Sequence, residues 1–157
     1  MAEYKTNAMR ILEKANIPYR AHTYDAAGGI DAVSVAQKVG MPEEQIYKTL
    51  VTKGKSGGYF VFVIAAGKEL DLKKAAQAVK EKAVDMIPVK DLLKVTGYIR
   101  GGCSPIGMKK TYPTVLDSAA EQLPQMVVSA GKIGYQVELS PEDLARVSGA
   151  AFCNIVV

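Results

Sequence analysis

A short run of glycine and proline, residues 101–107, is the part of the sequence best suited to chemistry. Its glycines permit positive φ angles and close approach of the backbone, and its proline fixes φ and lacks an N–H donor. Such a rigid turn presents unpaired N–H and C=O groups, and Lys109 and Lys110 follow it closely. These groups suit a ligand that carries a carbonyl, an amine or a phosphate. A glycine-rich turn can also simply join two strands, so the run alone does not identify a function.

The usual constellations of catalytic and metal-binding residues are missing from the sequence. His22 is the only histidine, which excludes a multi-histidine metal site, and its strand-like setting predicts a structural role. Cys103, inside the glycine run, has no base near it in the sequence and is not predicted to be a nucleophile. Cys153 alternates with apolar residues and is predicted to lie in the core. No metal or organic cofactor is expected.

The composition predicts one globular domain that spans residues 1–157. Apolar residues make up 48% of the chain and charged residues 23%, as in ordinary globular proteins. The net charge of +4 mildly favours a polyanionic partner. No apolar run is long enough to cross a membrane, and the first residues lack the apolar segment of a signal peptide. Two cysteines without a disulfide framework lead us to expect a cytoplasmic location.

Hydrophobic periodicity predicts helices that alternate with short strands. Helices are predicted over residues 6–15, 31–39, 88–95, after Asp71 and after Ser140, with Thr6, Asp71 and Ser140 as N-caps. The buried stripe of the helix after Asp71 is predicted to comprise Leu72, Ala75, Ala76, Val79 and Ala83. Strands are predicted over residues 19–24, 46–52, 59–65, 98–99, 114–116, 125–129 and 135–139, with a loop over 25–30 and a strand-like tail over 151–157. This layout favours several antiparallel strands with helices packed around them.

Several separated segments occur in an order and at spacings that resemble the YbaK/EbsC family of prolyl-tRNA editing proteins. They are residues 22–24, 46–50, 70–74, 96–98, the glycine run with its two lysines, and 128–134. The resemblance extends over about residues 8–155. It implies an α/β (α+β) fold with a mixed, mainly antiparallel, β-barrel-like sheet of about six or seven strands surrounded by helices.

The same resemblance implies an activity. Proteins of this family are stand-alone relatives of the editing domain of bacterial prolyl-tRNA synthetases, and they hydrolyse the ester of mischarged tRNA. Cysteine and proline have similar volumes, and a binding pocket discriminates poorly between such near-isosteres. The implied substrate is cysteinyl-tRNA(Pro), and the resemblance allows tRNA(Cys) as a further partner. A transient complex with prolyl-tRNA synthetase is also implied, and neither a membrane nor DNA is expected as a partner.

The mechanism proposed for YbaK-like enzymes explains why no nucleophile is evident. The thiol of the bound cysteine attacks its own carbonyl and releases the tRNA, leaving a cyclic thiolactone. A cysteine thiol with its ordinary pKa of about 8.5 is already partly ionised near neutral pH. The protein then needs only to orient the aminoacyl end and stabilise the developing oxyanion. A glycine-rich loop with exposed backbone groups is suited to that task.

The resemblance also assigns roles to individual residues. Lys48 matches the essential lysine of the family and is expected to contact the terminal adenosine or its phosphate. Gly101 and Gly102 would supply backbone contacts to the amine and the ester, and Pro105 would keep their loop rigid. Ser129 would donate or accept a hydrogen bond near the ester or the terminal ribose.

Further residues are expected at the rim of the site. Tyr24 and Gly131 would help to form the pocket. Lys109, Lys110 and Lys132 are predicted to contact tRNA phosphates, where lysine acts as a point charge. For each of these lysines a solvated surface position is the plain structural alternative.

One position departs from the family pattern. YbaK-like sequences carry an aspartate a few residues after the Ser-Gly-Gly-Lys segment, whereas this chain has Gln136 there. Glutamine retains hydrogen bonding but lacks the negative charge that would attract the α-ammonium group of the substrate. Two alternatives therefore stay open. One is deacylation of another mischarged tRNA, such as alanyl-tRNA(Pro), by an enzyme-positioned water, and the other is a non-catalytic binding or regulatory role.

Overall fold

The computed structural model describes residues 4–25 and 32–157, which contain five α-helices and eight strands. The helices are α1 (Asn7–Lys14), α2 (Ala32–Val39), α3 (Leu72–Ala78), α4 (Val89–Thr96) and α5 (Pro141–Ser148). The strands are β1 (Arg20–Thr23), β2 (Tyr47–Gly54), β3 (Tyr59–Ala65), β4 (Val84–Met86), β5 (Thr114–Asp117), β6 (Met126–Ser129), β7 (Tyr135–Leu139) and β8 (Ala151–Cys153). This is the mixed α and β composition that the sequence predicts.

The strands of the described residues form two sheets. One has the order β1-β7-β6, and the other has the order β4-β2-β3-β5-β8. The pairs of β3 with β5 and of β5 with β8 are parallel, and the remaining pairs within the sheets are antiparallel. A single parallel bridge from Ile46 to Val127 joins the two sheets. The closed, barrel-like sheet implied by the family resemblance is therefore not confirmed, although the mainly antiparallel pairing is.

Three predicted N-caps hold the starts of their helices. The Thr6 hydroxyl accepts a hydrogen bond from the Met9 N–H at 3.2 Å, and the Ser140 hydroxyl accepts one from the Asp143 N–H at 3.1 Å. The Asp71 carboxylate accepts two bonds at the start of α3. Each cap satisfies N–H groups that have no partner within the helix.

The apolar core is divided by the larger sheet. The largest cluster includes Leu12, Val63 and Val137, while a second cluster packs Phe62 and Ile64 against α3. A third, small cluster joins Ala36, Ile46, Ala66 and Val127. Because Ala36 belongs to α2, this third cluster seats α2 on the face that Ile46 and Val127 present.

Some sequence-based predictions were wrong. Residues 98–99 form no strand, because they belong to the turn that leads from α4 into the glycine run. The helix after Asp71 stops at Ala78, and Lys80 adopts a left-handed φ of 59°, so the chain reverses into β4, which pairs with β2. Ala83 lies beyond the end of the helix and is consequently exposed, and Leu72, the first residue of the helix, is exposed as well. Cys153 is also exposed, since it faces outward from the short edge strand β8. Residues 26–30 of the loop predicted over 25–30, and the predicted start of the second helix at residue 31, lie outside the described residues.

Candidate functional site

Three of the predicted site residues occupy one row across neighbouring strands. The isolated parallel bridge aligns Ile46 with Val127, and Lys48 and Ser129 each lie two residues further along the chain, on the same face as these two residues. Ser129 in turn lies directly opposite Gln136 on β7. Directly opposed residues send their side chains to the same face of a sheet. The register therefore groups Lys48, Ser129 and Gln136, which are far apart in the sequence, on one face.

The row continues onto β1 and towards α2. His22 lies opposite Gln136, and Tyr24 leaves β1 two residues later on the same side. The Tyr24 ring lies 5.8 Å from the Nζ atom of Lys38 on α2. The Tyr24 hydroxyl is buried and has no hydrogen-bond partner among the described residues. A buried polar group without a partner is costly, so a hydrogen bond from a ligand or a water molecule would stabilise this hydroxyl.

The charges of this face are few. Lys48 is half-buried, and the ion pairs of the described part of the chain do not include it. Ser129 and Gln136 are buried, with 9% and 5% exposure. His22 Nε2 lies 2.7 Å from Glu138 Oε1, which confirms a structural partner for the histidine. The described residues contain no cluster of histidine, cysteine or carboxylate side chains that could hold a metal ion.

The glycine run packs directly against the turn that follows β6. A Cβ atom on Gly102 would lie 3.1 Å from the Ile133 nitrogen and 3.4 Å from backbone atoms of Lys132. Only a glycine allows two backbones to approach so closely without a shift. Gly101 has a positive φ of 87°, so it too uses a conformation that other residues rarely adopt. The structure thus brings Gly101 and Gly102 to the end of the strand that carries Ser129.

Tyr98 holds these two segments together, and the sequence did not identify it as a site residue. Its hydroxyl donates a 2.5 Å hydrogen bond to the Ile106 carbonyl within the glycine run. Its ring lies against Gly131, whose N–H donates to the Ser129 hydroxyl at 3.2 Å. Burial raises the pKa of Tyr98 to about 12, so its hydroxyl stays protonated and remains a donor at neutral pH. The signal in the sequence that could have identified Tyr98 is its place in the segment 96–98.

The glycine run is stiffened from within. Pro105 is buried, and the Ser104 hydroxyl accepts a hydrogen bond from the Ile106 N–H at 3.1 Å. Burial raises the pKa of the Cys103 thiol to about 12. A thiol that stays protonated is a poor nucleophile, which agrees with the prediction that Cys103 is not one. The run therefore offers a fixed backbone and no ionised side chain.

A cavity of about 180 Å³ opens where β2 meets the glycine run. It is lined by Thr49, Leu50, Val51, Met86, Ile87, Pro88, Val89, Leu92, Arg100, Gly101 and Cys103. The Val51 carbonyl accepts a hydrogen bond from the Ile87 N–H across this edge of β2. By strand alternation the backbone groups of Thr49 point to the same edge. The Thr49 hydroxyl is buried and has no partner among the described residues. Nothing in the sequence distinguished Thr49 from its neighbours.

The three lysines predicted to contact phosphate do not converge on one point. Lys109 is exposed, and its Nζ donates a 3.4 Å hydrogen bond to the Lys94 carbonyl at the end of α4. Lys110 is exposed beside it. The Nζ atom of Lys132 lies 4.1 Å from the centroid of the Tyr4 ring, an arrangement typical of a cation–π contact. The ammonium group of Lys132 is thus partly engaged by aromatic rings.

Comparisons with known proteins identify the family of the chain. A profile of the aminoacyl-tRNA editing domain matches residues 28–147. The Enterococcus faecalis protein EbsC, provisionally named a Cys-tRNA(Pro)/Cys-tRNA(Cys) deacylase, is 47% identical over 98% of this chain and 94% of its own length. The proline–tRNA ligase of Kosmotoga olearia is 30% identical over 64% of this chain and 17% of the ligase.

Solved structures share the fold. A candidate trans-editing enzyme for prolyl-tRNA synthetase superposes with a TM-score of 0.82 at 24% identity, covering 98% of this chain and 99% of the other. At that identity the likeness shows the fold alone. The profile match and the relationship to EbsC, which spans almost the whole length of both proteins, go further. The chain belongs to the family of aminoacyl-tRNA editing domains.

Proposed function

We propose that this protein is a trans-editing aminoacyl-tRNA deacylase whose main substrate is cysteinyl-tRNA(Pro). The observation that carries the proposal is the row of Lys48, Ser129 and Gln136 next to the packed backbone of Gly101 and Gly102. The name of its relative EbsC, which includes both Cys-tRNA(Pro) and Cys-tRNA(Cys), supports the substrate class. The whole chain acts as one editing domain in this proposal.

The proposed reaction uses the thiol of the substrate. Its sulfur attacks the carbonyl carbon of the same cysteinyl group, a C–S bond forms and the ester C–O bond breaks. The thiol proton passes to the leaving ribose oxygen, and the thiolactone is later opened by water. A well-oriented intramolecular attack can contribute about 7–11 kcal/mol, from which the strain of a four-membered ring subtracts.

The residues of the site supply orientation and charge. The ammonium group of Lys48 binds the terminal ribose or its phosphate, and the Ser129 hydroxyl binds next to it. The backbone N–H of Gly101 stabilises the developing oxyanion, while the Gly102 N–H donates to the Ile99 carbonyl at 3.0 Å and so fixes the loop. The packing of Gly102 against residues 132–133 holds this backbone in place before the substrate arrives, and leaves the Gly102 carbonyl for contact with the aminoacyl end. The Gln136 carbonyl oxygen accepts a hydrogen bond from the α-ammonium group. Tyr24, Pro105 and Gly131 shape the surrounding wall.

A second substrate, alanyl-tRNA(Pro), is favoured by one observation. The neutral amide of Gln136 stands where a carboxylate would hold the ammonium group more strongly, but this group is common to cysteinyl and alanyl esters, so the position does not exclude alanine. Alanine has no thiol, and its ester would require a water molecule as the nucleophile. The buried, unpartnered hydroxyls of Tyr24 and Thr49 are groups that could bind such a water.

The proposed setting is the cytoplasm, in a transient complex with prolyl-tRNA synthetase. In such a complex the synthetase would supply much of the selection for tRNA(Pro), since a net charge of +4 is modest for a protein that binds tRNA unaided. Among the described residues no helix is both long enough and apolar enough to cross a membrane.

The test is the loss of the ester from preformed cysteinyl-tRNA(Pro), compared between the wild type and Lys48→Ala. Lys68→Ala, an exposed lysine outside the site, is the control. Rapid loss that disappears only in Lys48→Ala supports thiol-type editing, and S-methylation of the substrate should then stop it. Faster loss of alanyl-tRNA(Pro) would transfer the assignment to that substrate. If neither ester were lost, the proposed deacylase activity would be contradicted, and a binding function on this fold would remain.

A further inference from the structure

The cavity beside Gly101 adjoins a second, larger groove that the proposed chemistry does not use. We infer that the two together bind the single-stranded 3′ end of the tRNA, with the terminal base in the apolar cavity and the phosphates of the preceding nucleotides in the groove. The inference rests on the proposed function for its choice of ligand. It adds a binding surface made of residues on β2, β4 and α4.

The apolar cavity has the shape and lining for a base. Its volume is about 180 Å³, and most of its lining side chains are aliphatic, among them Leu50, Ile87 and Leu92. Arg100 is exposed at its edge and supplies a planar cation. Aliphatic walls and an arginine plane suit the face of a nucleobase, whichever base it is. An acyl group held at Gly101 is attached to the terminal nucleotide, which must therefore lie next to this loop.

The neighbouring groove has a volume of about 590 Å³ and carries three lysines. Lys53 lies at the end of β2, Lys55 directly follows that strand, and Lys94 lies on the exposed side of α4. Asp85 and Asp91 also line the groove, but none of the three lysines forms an ion pair within the described part of the chain. Their ammonium groups are therefore available to an anionic ligand.

The two depressions are adjacent. Met86, Ile87 and Pro88 line both of them, so this short segment is the ridge that separates the base cavity from the lysine groove. Met86 is 47% exposed, and Val89, which directly follows this segment, is 60% exposed. The ridge therefore presents apolar side chains between the cavity and the groove. A nucleic-acid strand that crosses the ridge places its sugars and bases on apolar atoms and its phosphates near Lys53, Lys55 and Lys94. The alternation of apolar and cationic surface matches a single strand better than a duplex.

Binding of uncharged RNA tests the inference without any turnover. The probes are tRNA(Pro) and a short oligoribonucleotide ending in CCA, neither of them aminoacylated, measured by fluorescence anisotropy with the full-length protein. In Lys53→Glu/Lys55→Glu/Lys94→Glu we expect affinity for both probes to fall at least about tenfold at 0.1 M salt. The slope of log affinity against log salt should decrease by about 2, since each single-strand phosphate contact contributes about 0.7. The control Lys14→Glu/Lys68→Glu/Lys73→Glu changes the charge equally at exposed positions that line neither depression.

A second measurement tests the base cavity. Removing the terminal adenosine from the oligoribonucleotide should weaken its binding to the wild type by about tenfold, because one base is no longer buried. Equal binding of the shortened probe, or equal weakening in the two triple variants, would overturn the inference. The inference would also be wrong if the groove variant kept its RNA affinity but no longer bound prolyl-tRNA synthetase, because the groove would then be a protein interface. A wild type that binds RNA but cleaves no ester would contradict only the proposed function.

Discussion

The ring of Tyr98 lies so close to Gly131 that a Cβ atom at that position would come within 2.9 Å of the ring. The same tyrosine donates its hydroxyl hydrogen to the Ile106 carbonyl. One side chain thus connects the turn after Ser129 with the far end of the glycine run. The relative position of the backbone donors and the Ser129 hydroxyl depends on this connection.

We expect Gly131→Ala to impair both folding and turnover. Gly131 has a φ of +94°, and an alanine there costs about 1–3 kcal/mol of backbone strain in addition to the contact with Tyr98. Gly57→Ala is a matched control, because Gly57 has a φ of +97° but no atom within 4 Å of the position that a Cβ would take. Chemical denaturation should show a larger loss for Gly131→Ala, and deacylation should fall about 10–100-fold only there. Equal effects of the two substitutions would mean that the ring contact is unimportant.

Tyr98→Phe isolates the hydrogen bond from the ring. The loss of the bond to Ile106 should reduce the free energy of unfolding by about 1 kcal/mol. Tyr112→Phe removes a similar bond, from a hydroxyl to the Val95 carbonyl at 2.7 Å, which lies outside the glycine run. Both variants should unfold at similar denaturant concentrations, while only Tyr98→Phe should lower the deacylation rate. If Tyr112→Phe lowered the rate as much, the effect would reflect stability rather than the position of the loop.

The segments of the site could be predicted from the sequence, but their mutual arrangement could not. Recognisable motifs contain Lys48 and Ser129, and Gln136 stands at the departure from the family pattern. Their common row depends on the bridge between Ile46 and Val127, which joins residues 81 positions apart. Local periodicity determines which residues alternate within a strand, whereas the register between distant strands is set by packing in the folded protein. The family resemblance implied that these residues share a site, but it gave no register between their strands.

The errors have a similar origin. Val84–Met86 is a strand because it meets the free edge of β2, although nothing in three residues distinguishes it from the end of a helix. Thr49 looked like an ordinary strand residue, and its unpartnered hydroxyl becomes evident only at the open edge of β2. Cap residues such as Thr6 and Ser140 were predicted correctly because a cap acts over three positions along the chain.

Thiol labelling should distinguish the two cysteines. Burial raises the pKa of Cys103 from an ordinary 9.0 to about 12, which lowers its thiolate fraction about a thousandfold below pH 9. Iodoacetamide should therefore modify the exposed Cys153 first, and Cys153→Ser should leave a native protein that labels very slowly. The labelling rate of that variant should rise with pH up to about 12, as the thiol ionises. Fast labelling of Cys103 at about pH 8 in folded protein would contradict a buried, protonated thiol.

Gln136→Asp tests whether the neutral amide weakens binding of the ammonium group of the substrate. A carboxylate would form a charge-assisted hydrogen bond with the substrate ammonium group, worth about 1 kcal/mol more than the bond from an amide. We expect kcat/KM for cysteinyl-tRNA(Pro) to rise about fivefold, which is the same free energy expressed as a rate ratio.

The control for this substitution is Gln136→Asn, which has the same side-chain length as aspartate but no charge. Gln136 is 5% exposed, and His22, which lies opposite it, is already paired with Glu138, so a buried carboxylate at residue 136 is expected to reduce stability. Chemical denaturation of both variants separates that cost from the kinetic effect. If aspartate and asparagine change kcat/KM equally, side-chain length rather than charge governs this position. A gain with aspartate alone would instead place the ammonium group of the substrate beside residue 136.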